Sequence, residues 1–90
     1  MKNQPTKEHL EVIQNLSRNM KNERSKQNLS QSHLSALTGI EASSISKMEK
    51  MEFDNPTIGT LSKLAKGLNT SIVSLISAAM FLIHNCRLDL

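Results

Sequence analysis

The chain has 90 residues, 38% of them hydrophobic, which is enough for one modest core but not for two. Two Phe, no Trp and no Tyr make that core aliphatic. Three Gly, two Pro and the lack of any Asn-Gly or Asp-Gly hairpin dipeptide exclude an all-β chain and leave an all-α one. Eleven Lys and Arg against eight Asp and Glu give a net charge of +3, a mildly basic balance of the kind a phosphate-binding surface carries.

In chain order, residues 1–6 are polar, include Pro5, and read as a flexible arm. Residues 7–27 hold no Gly or Pro, and Leu10, Ile13, Leu16 and Met20 form a narrow apolar stripe, so a first helix is predicted to lie on a core along that stripe. Asn28 is the expected left-handed stop. Ser30 is the N-cap expected for a second helix beginning at Gln31, with Leu34 and Leu37 turned inward. Gly39 then supplies a positive-φ turn and Ile40 plugs the corner. A third short helix runs over residues 42–50. Pro56 disfavours helix at Asn55, which makes residues 53–56 a loop. Thr57 is expected to cap a fourth helix whose inner stripe is Ile58, Leu61, Leu64, Ala65 and Leu68. Ser71 is expected to cap a fifth, which enters the apolar run at residues 72–83.

Several function classes fall away. The run at 72–83 is broken by Ser74 and Ser77 and falls well short of the ~20 residues a membrane span needs. No apolar stretch follows the first residues, so no signal peptide is expected; a single Cys86 cannot close a disulfide within the chain and suits a reducing, cytoplasmic setting. His9, His33 and His84 are scattered, and His84 with Cys86 is too small a set for a zinc site, so no metal or other cofactor is expected. The sequence holds no nucleophile elbow, phosphate-cradling glycine loop or paired acidic motif, and no enzymatic activity is expected.

The segment from Gln31 to Lys50 carries the functional reading. Two short helices joined by a Gly-containing turn make a helix-turn-helix, in which the second helix enters the DNA major groove. At 100° per residue, Ala42, Ser43, Ser46, Lys47 and Lys50 fall within a sector of about 140°, while Ile45 and Met48 point the other way. The outward face therefore offers small hydroxyls, one methyl and two cations. Small side chains let the helix backbone sink into the groove, where Ser and Lys reach base edges and phosphates.

Leu29, Ser30, Gln31, Leu34, Ser35, Thr38, Gly39, Ile40, Ala42, Ser43, Ile45, Glu49, then Asn55, Pro56, Thr57, Leu61, Leu64 and Ala65 resemble, at their spacing, the lambda-repressor-like (Cro/XRE) helix-turn-helix family. The resemblance covers about residues 16–76. It implies a five-helix, all-α DNA-binding domain. It also implies that Gln31 meets a phosphate at a helix N-terminus, that Ala42, Ser43 and Lys47 face bases, and that Ser44 and Lys50 flank them and touch backbone. Ser46 counts among the expected DNA contacts from its place on the outward face. Thr60 and Lys63, at the front of the fourth helix, would grip the next phosphates. Arg24 and Glu49 match the family's pair that bridges the first and third helices.

The chain departs from the pattern in places. Ala42 stands where the family often has Gln, which removes a bidentate reading of adenine and leaves a methyl to meet a thymine methyl. Ser35 replaces a usual Ala, and Glu23 a common apolar residue. Residues 51–54 lack the usual Gly and basic residues and carry two acids, which weakens backbone contact there.

The expected organisation is thus an N-terminal arm (1–6), a helix-turn-helix DNA-binding domain (7–76) and a C-terminal apolar dimerisation segment (77–90). Along the apolar run at 72–83 that leads into that segment, Val73, Met80 and Phe81 fall on a second apolar face, more than a chain of this size easily covers, and such a patch marks an interface. Residues 81–90 read equally as helix or as a strand exchanged between subunits. The expected function is a sequence-specific transcriptional regulator, a homodimeric repressor that binds double-stranded DNA at an operator with two half-sites. Two alternatives stay open: the antitoxin half of a toxin–antitoxin pair, with the apolar tail on the toxin, and a protein-interaction module that no longer binds DNA.

Overall fold

The computed structural model describes residues 6–52 and 56–78, and every regular element among them is helical. The order is α1 (Lys7–Lys26), α2 (Gln31–Thr38), α3 (Ala42–Glu49), α4 (Ile58–Gly67) and α5 (Ile72–Ile76). Residues 1–5 of the N-terminal arm, the middle of the α3–α4 loop, and Met80, Phe81, His84 and Cys86 lie outside the described residues, while Thr6, expected in the arm, is described and begins α1 as its N-cap.

Each helix starts where side-chain chemistry satisfies its first N–H groups. The hydroxyls of Thr6, Ser30, Thr57 and Ser71 accept from the backbone N–H three residues on, at 2.9–3.0 Å. α3 is the exception: its N-cap, Glu41, makes no side-chain capping bond. The helix stops are equally local. Gly39 takes φ 79° after α2, and Asn28 and Asn69 take φ 58° and 57° after α1 and α4. Thr38 shapes the turn as well, since its hydroxyl donates to Leu34 O at 2.8 Å and accepts from Ile40 N at 3.1 Å.

α1 packs on α3 and α5, α2 on α3 and α4, and α4 on α5. Leu16 and Met20 of α1, Leu34 of α2, Ile45 of α3, Leu64 of α4 with Leu68 at its C-cap, and Leu75 of α5 meet in one core, fully buried or nearly so. Burying each such side chain contributes ~1.5–3 kcal/mol against the entropy of ordering the chain. Leu29, Ile40, Ile72 and Ile76 pack on its edge.

Three residues expected to face inward do not. Leu10 is 47% exposed, Leu37 52% and Ile58 73%. α1 begins beyond the core, so its first apolar position has nothing to cover it. In α2 the inward position is taken by Thr38, whose hydroxyl is satisfied within its own turn. Ile58 is the first residue of α4, ahead of the stripe that begins at Leu61. At the other end of α4, a Cβ on Gly67 would overlap Thr38 Cγ2, so the α2–α4 crossing depends on a glycine that sequence periodicity does not mark.

Candidate nucleic-acid interface

α2, the Gly39 turn and α3 form a helical corner with α3 as its outer element. Ile45 and Met48 are buried beneath α3. On the other side Ser43, Lys47 and Lys50 are exposed, and Ala42, Ser44 and Ser46 are half-buried. Lys47 and Lys50 enter no ion pair among the described residues, so their charges face solvent. Thr60 is half-buried and Lys63 exposed near the front of α4. The Thr57 hydroxyl donates to Thr60 Oγ1 at 3.1 Å while accepting from Thr60 N at 3.0 Å, which stiffens that first turn.

α3 is held from behind by α1. The Glu49 side chain is 4% exposed and accepts from Arg24 twice, Nε to Oε2 at 2.7 Å and Nη2 to Oε1 at 2.9 Å, in a fork-to-fork pair. Gln31 Nε2, from the start of α2, donates to Oε1 at 3.0 Å. Arg24 Nη1 also donates to Leu29 O at 2.8 Å. One carboxylate therefore ties α1, α2 and α3 together. Two turns earlier on α1, the buried Ser17 hydroxyl donates to Glu49 O at 2.7 Å and so satisfies a carbonyl at the C-terminal end of α3.

Residues 20–75, more than half of the chain, match the family described as Helix-turn-helix. The chain belongs to the Cro/C1-type helix-turn-helix family. No curated protein and no solved structure matches it. The protein is thus a DNA-binding transcriptional regulator of the XRE type, from a family of DNA-binding regulators rather than enzymes.

The electrostatics of this regulator's corner follow from the geometry. Burial pushes the Glu49 carboxyl up, but the hydrogen bonds from Arg24 and Gln31 and the positive charges of Arg24 and Lys21 outweigh it. The net result is a pKa below the ordinary value of 4.5. The hydrogen bonds to Glu49, helped by its negative charge, raise Arg24 above its ordinary value, against a smaller opposing effect of burial. No group of three or more His, Cys, Asp or Glu side chains that would hold a metal gathers among the described residues. No helix among them is long and apolar enough to cross a membrane.

Two helix-positioning residues escape a reading of the sequence by motif, Ser17 and Asn19. Ser17 is detectable in principle: it sits seven residues before Arg24, hence on the same face of α1, and any residue there must also meet α3. Asn19 is harder. It flanks the Leu16 and Met20 stripe in mid-helix, where Asn is a poor helix former, and only its distant partners explain it.

Proposed function

We propose that this regulator is a repressor that binds an operator of two related half-sites as a homodimer and excludes polymerase from the promoter it covers. The observation that carries the reading is the asymmetry of α3: its inner side is fixed by Ile45, Met48 and the buried Glu49, and its outer side carries small hydroxyls and two lysines that enter no ion pair among the described residues. A helix so anchored enters the major groove without reorganising, and Lys47 is the best candidate to reach a base edge, beside Ala42 and Ser43. Ser44, Ser46 and Lys50 flank it. Gln31, Thr60 and Lys63 serve as phosphate contacts. Gln31 has two amide hydrogens and spends one on Glu49, so the second is available for a phosphate. With few strong base contacts per copy, two copies are needed for useful affinity. Val73, 67% exposed on α5, supports an apolar contact there, joined by Met80 and Phe81 from the segment that follows.

The test is a duplex selected from a random pool, bound over a salt series. A DNA binder loses affinity steeply with salt, with a slope of about −0.9 per phosphate neutralised. Absence of salt-sensitive binding to any duplex would overturn the reading. Lys47→Ala should weaken binding by about 1–3 kcal/mol and relax preference at one position; a uniform loss across sequences would make Lys47 a phosphate contact instead. Truncation after Ser77 should give a monomer by sedimentation, and an unchanged dimer would refute the tail as the interface.

A further inference from the structure

The end of α5 is built unlike the ends of α1, α3 and α4. Those three close their last turn with a backbone bond, Leu29 N to Arg24 O at 3.0 Å, Glu52 N to Lys47 O and Thr70 N to Ala65 O at 2.8 Å. Single side-chain bonds add to it at α3, Ser17 on Glu49 O, and at α4, Gln27 Nε2 on Leu68 O, both at 2.7 Å. At Ser77 the chain instead turns extended (φ −77°, ψ 149°), and the last carbonyls of α5 pass to side chains of α1. Asn19 Nδ2 lies 3.1 Å from Ser74 O, 2.8 Å from Leu75 O and 2.9 Å from Ser77 O. Asn15 Nδ2 is 3.2 Å from Ile76 O. Arg18 Nη2 donates to Ala78 O and, at 2.9 Å, to Asn15 Oδ1. Each carbonyl from Ser74 to Ala78 is thus engaged by Asn15, Arg18 or Asn19, three residues spaced i, i+3 and i+4 on α1.

Packing alone does not call for this. An aliphatic side chain at position 19 would cover Leu75 without the cost of burying an amide, and Asn19 is only 2% exposed. What the amide adds is register, because an apolar contact slides and a set of directed hydrogen bonds does not. The same helix grips α3 through Ser17 and Arg24, so the 20-residue α1 rigidly joins the reading helix to the place where the chain leaves α5.

We propose that Asn19, braced by Asn15 and Arg18, is a positioning residue that fixes the departure of the C-terminal segment and thereby the separation of the two reading helices in the dimer. The proposal rests on the homodimer reading above. Its consequence is a strict half-site spacing, since each added base pair moves one half-site by roughly 3.4 Å and rotates it by roughly 34°.

The experiment uses the full chain and duplexes carrying the selected half-sites at their native spacing, at spacings one and two base pairs longer and shorter, and as a single half-site. Wild type should disfavour the altered spacings by roughly tenfold or more, the scale of linking two binding events. The Asn19→Ala protein and the milder pair Asn15→Ala with Arg18→Ala should bind the single half-site within about twofold of wild type, yet discriminate between spacings by only about two- to threefold. If a variant keeps both half-site affinity and full discrimination, the positioning role is wrong and the dimer reading stands. If wild type itself shows no preferred spacing, the dimer reading falls and takes the positioning role with it. Should Asn19→Ala lose single-site binding through unfolding, the surface pair decides by the same criterion.

Discussion

α1 holds two partners by opposite means. It holds α3 with charge, through the fork between Arg24 and a Glu49 side chain that is almost wholly buried, and it holds α5 with neutral amides laid against backbone carbonyls. The charged grip is strong where it is dry, but it depends on Glu49 remaining ionised. The amide grip is indifferent to pH, but it depends on geometry, because every lost donor orphans a carbonyl. A reading helix that must keep one orientation against a polyanion is thus fixed by an internal ion pair. A segment that sets direction is fixed by hydrogen bonds.

Removing one side chain from each grip should separate the two. Asn19→Ala removes the two N–H donors that serve the buried Leu75 carbonyl and the part-buried Ser74 and Ser77 carbonyls, and should cost about 3 kcal/mol, at 1–3 kcal/mol per group left unsatisfied with some relief from water at the short α5. Glu49→Ala leaves Arg24 and Gln31 without their acceptor and should cost about 2 kcal/mol, less than a fully buried pair because the Arg24 side chain is 17% exposed and keeps Leu29 O. Urea unfolding of both variants and of the double variant checks this. Because the two grips share no partner, the double variant should be additive within about 0.5 kcal/mol, and a larger coupling would mean that α1 does not act as a rigid link.

The α2–α4 crossing is a control, since it uses neither charge nor amide. Gly67→Ala should destabilise by about 1–2 kcal/mol, although Ala is the better helix former by about 1 kcal/mol. The new Cβ would strike Thr38, whose hydroxyl is committed to Leu34 O and Ile40 N and so cannot rotate away cheaply. Adding Thr38→Ser, which removes the methyl and keeps the hydroxyl, should recover most of the loss. Failure to recover it in thermal unfolding would place the strain elsewhere.

The pH dependence sharpens the comparison further. Glu49 has a folded pKa below its ordinary value of 4.5, so its stabilising contribution is complete above that value. The contribution is lost as pH falls through the lowered folded value, because there the carboxylate must take up a proton and release Arg24. Glu49→Gln should flatten this acid limb of the stability curve, whereas Asn19→Ala should lower the whole curve and leave its slope unchanged. An acid limb equally steep in Glu49→Gln would assign it to other carboxylates.

How much of this was readable in advance follows the range of the interactions. Helix starts were legible at Ser30, Thr57 and Ser71 because a cap and its N–H lie three residues apart, and Gly39 and Asn28 marked stops for equally local reasons. The family pattern carried the corner from Gln31 to Glu49. Burial was less legible. Leu10, Leu37 and Ile58 sit at helical spacing with the core, yet periodicity states which face is apolar and not where its cover ends. Asn19 and its carbonyl partners lie 55–58 residues apart in sequence, and Gly67 answers to Thr38 across a helix crossing; no local pattern encodes either contact.

The smallest effect is expected at the end of α3, where the comparison among helix ends leaves one residue out of place. The stops after α1 and α4 use Asn in the left-handed region, which Asn tolerates, and the stop after α2 uses Gly. After α3 the position falls to Met51, at φ 62°. The backbone bonds that close this end are intact, Met51 N to Met48 O at 3.2 Å and Glu52 N to Lys47 O at 2.8 Å, so the strain is carried rather than relieved. A non-glycine residue there costs roughly 1–2 kcal/mol, and glycine gives part of that back through its freer unfolded chain. Met51→Gly should therefore stabilise the protein by about 0.5–1 kcal/mol, while Asn28→Gly and Asn69→Gly should change it by less. Met51 is exposed and borders an open groove with Gln14, Ser17 and Arg18, so the side chain has little packing to lose. A melting temperature that drops in Met51→Gly would show that this groove wall supports α3 more than its strained turn weakens it.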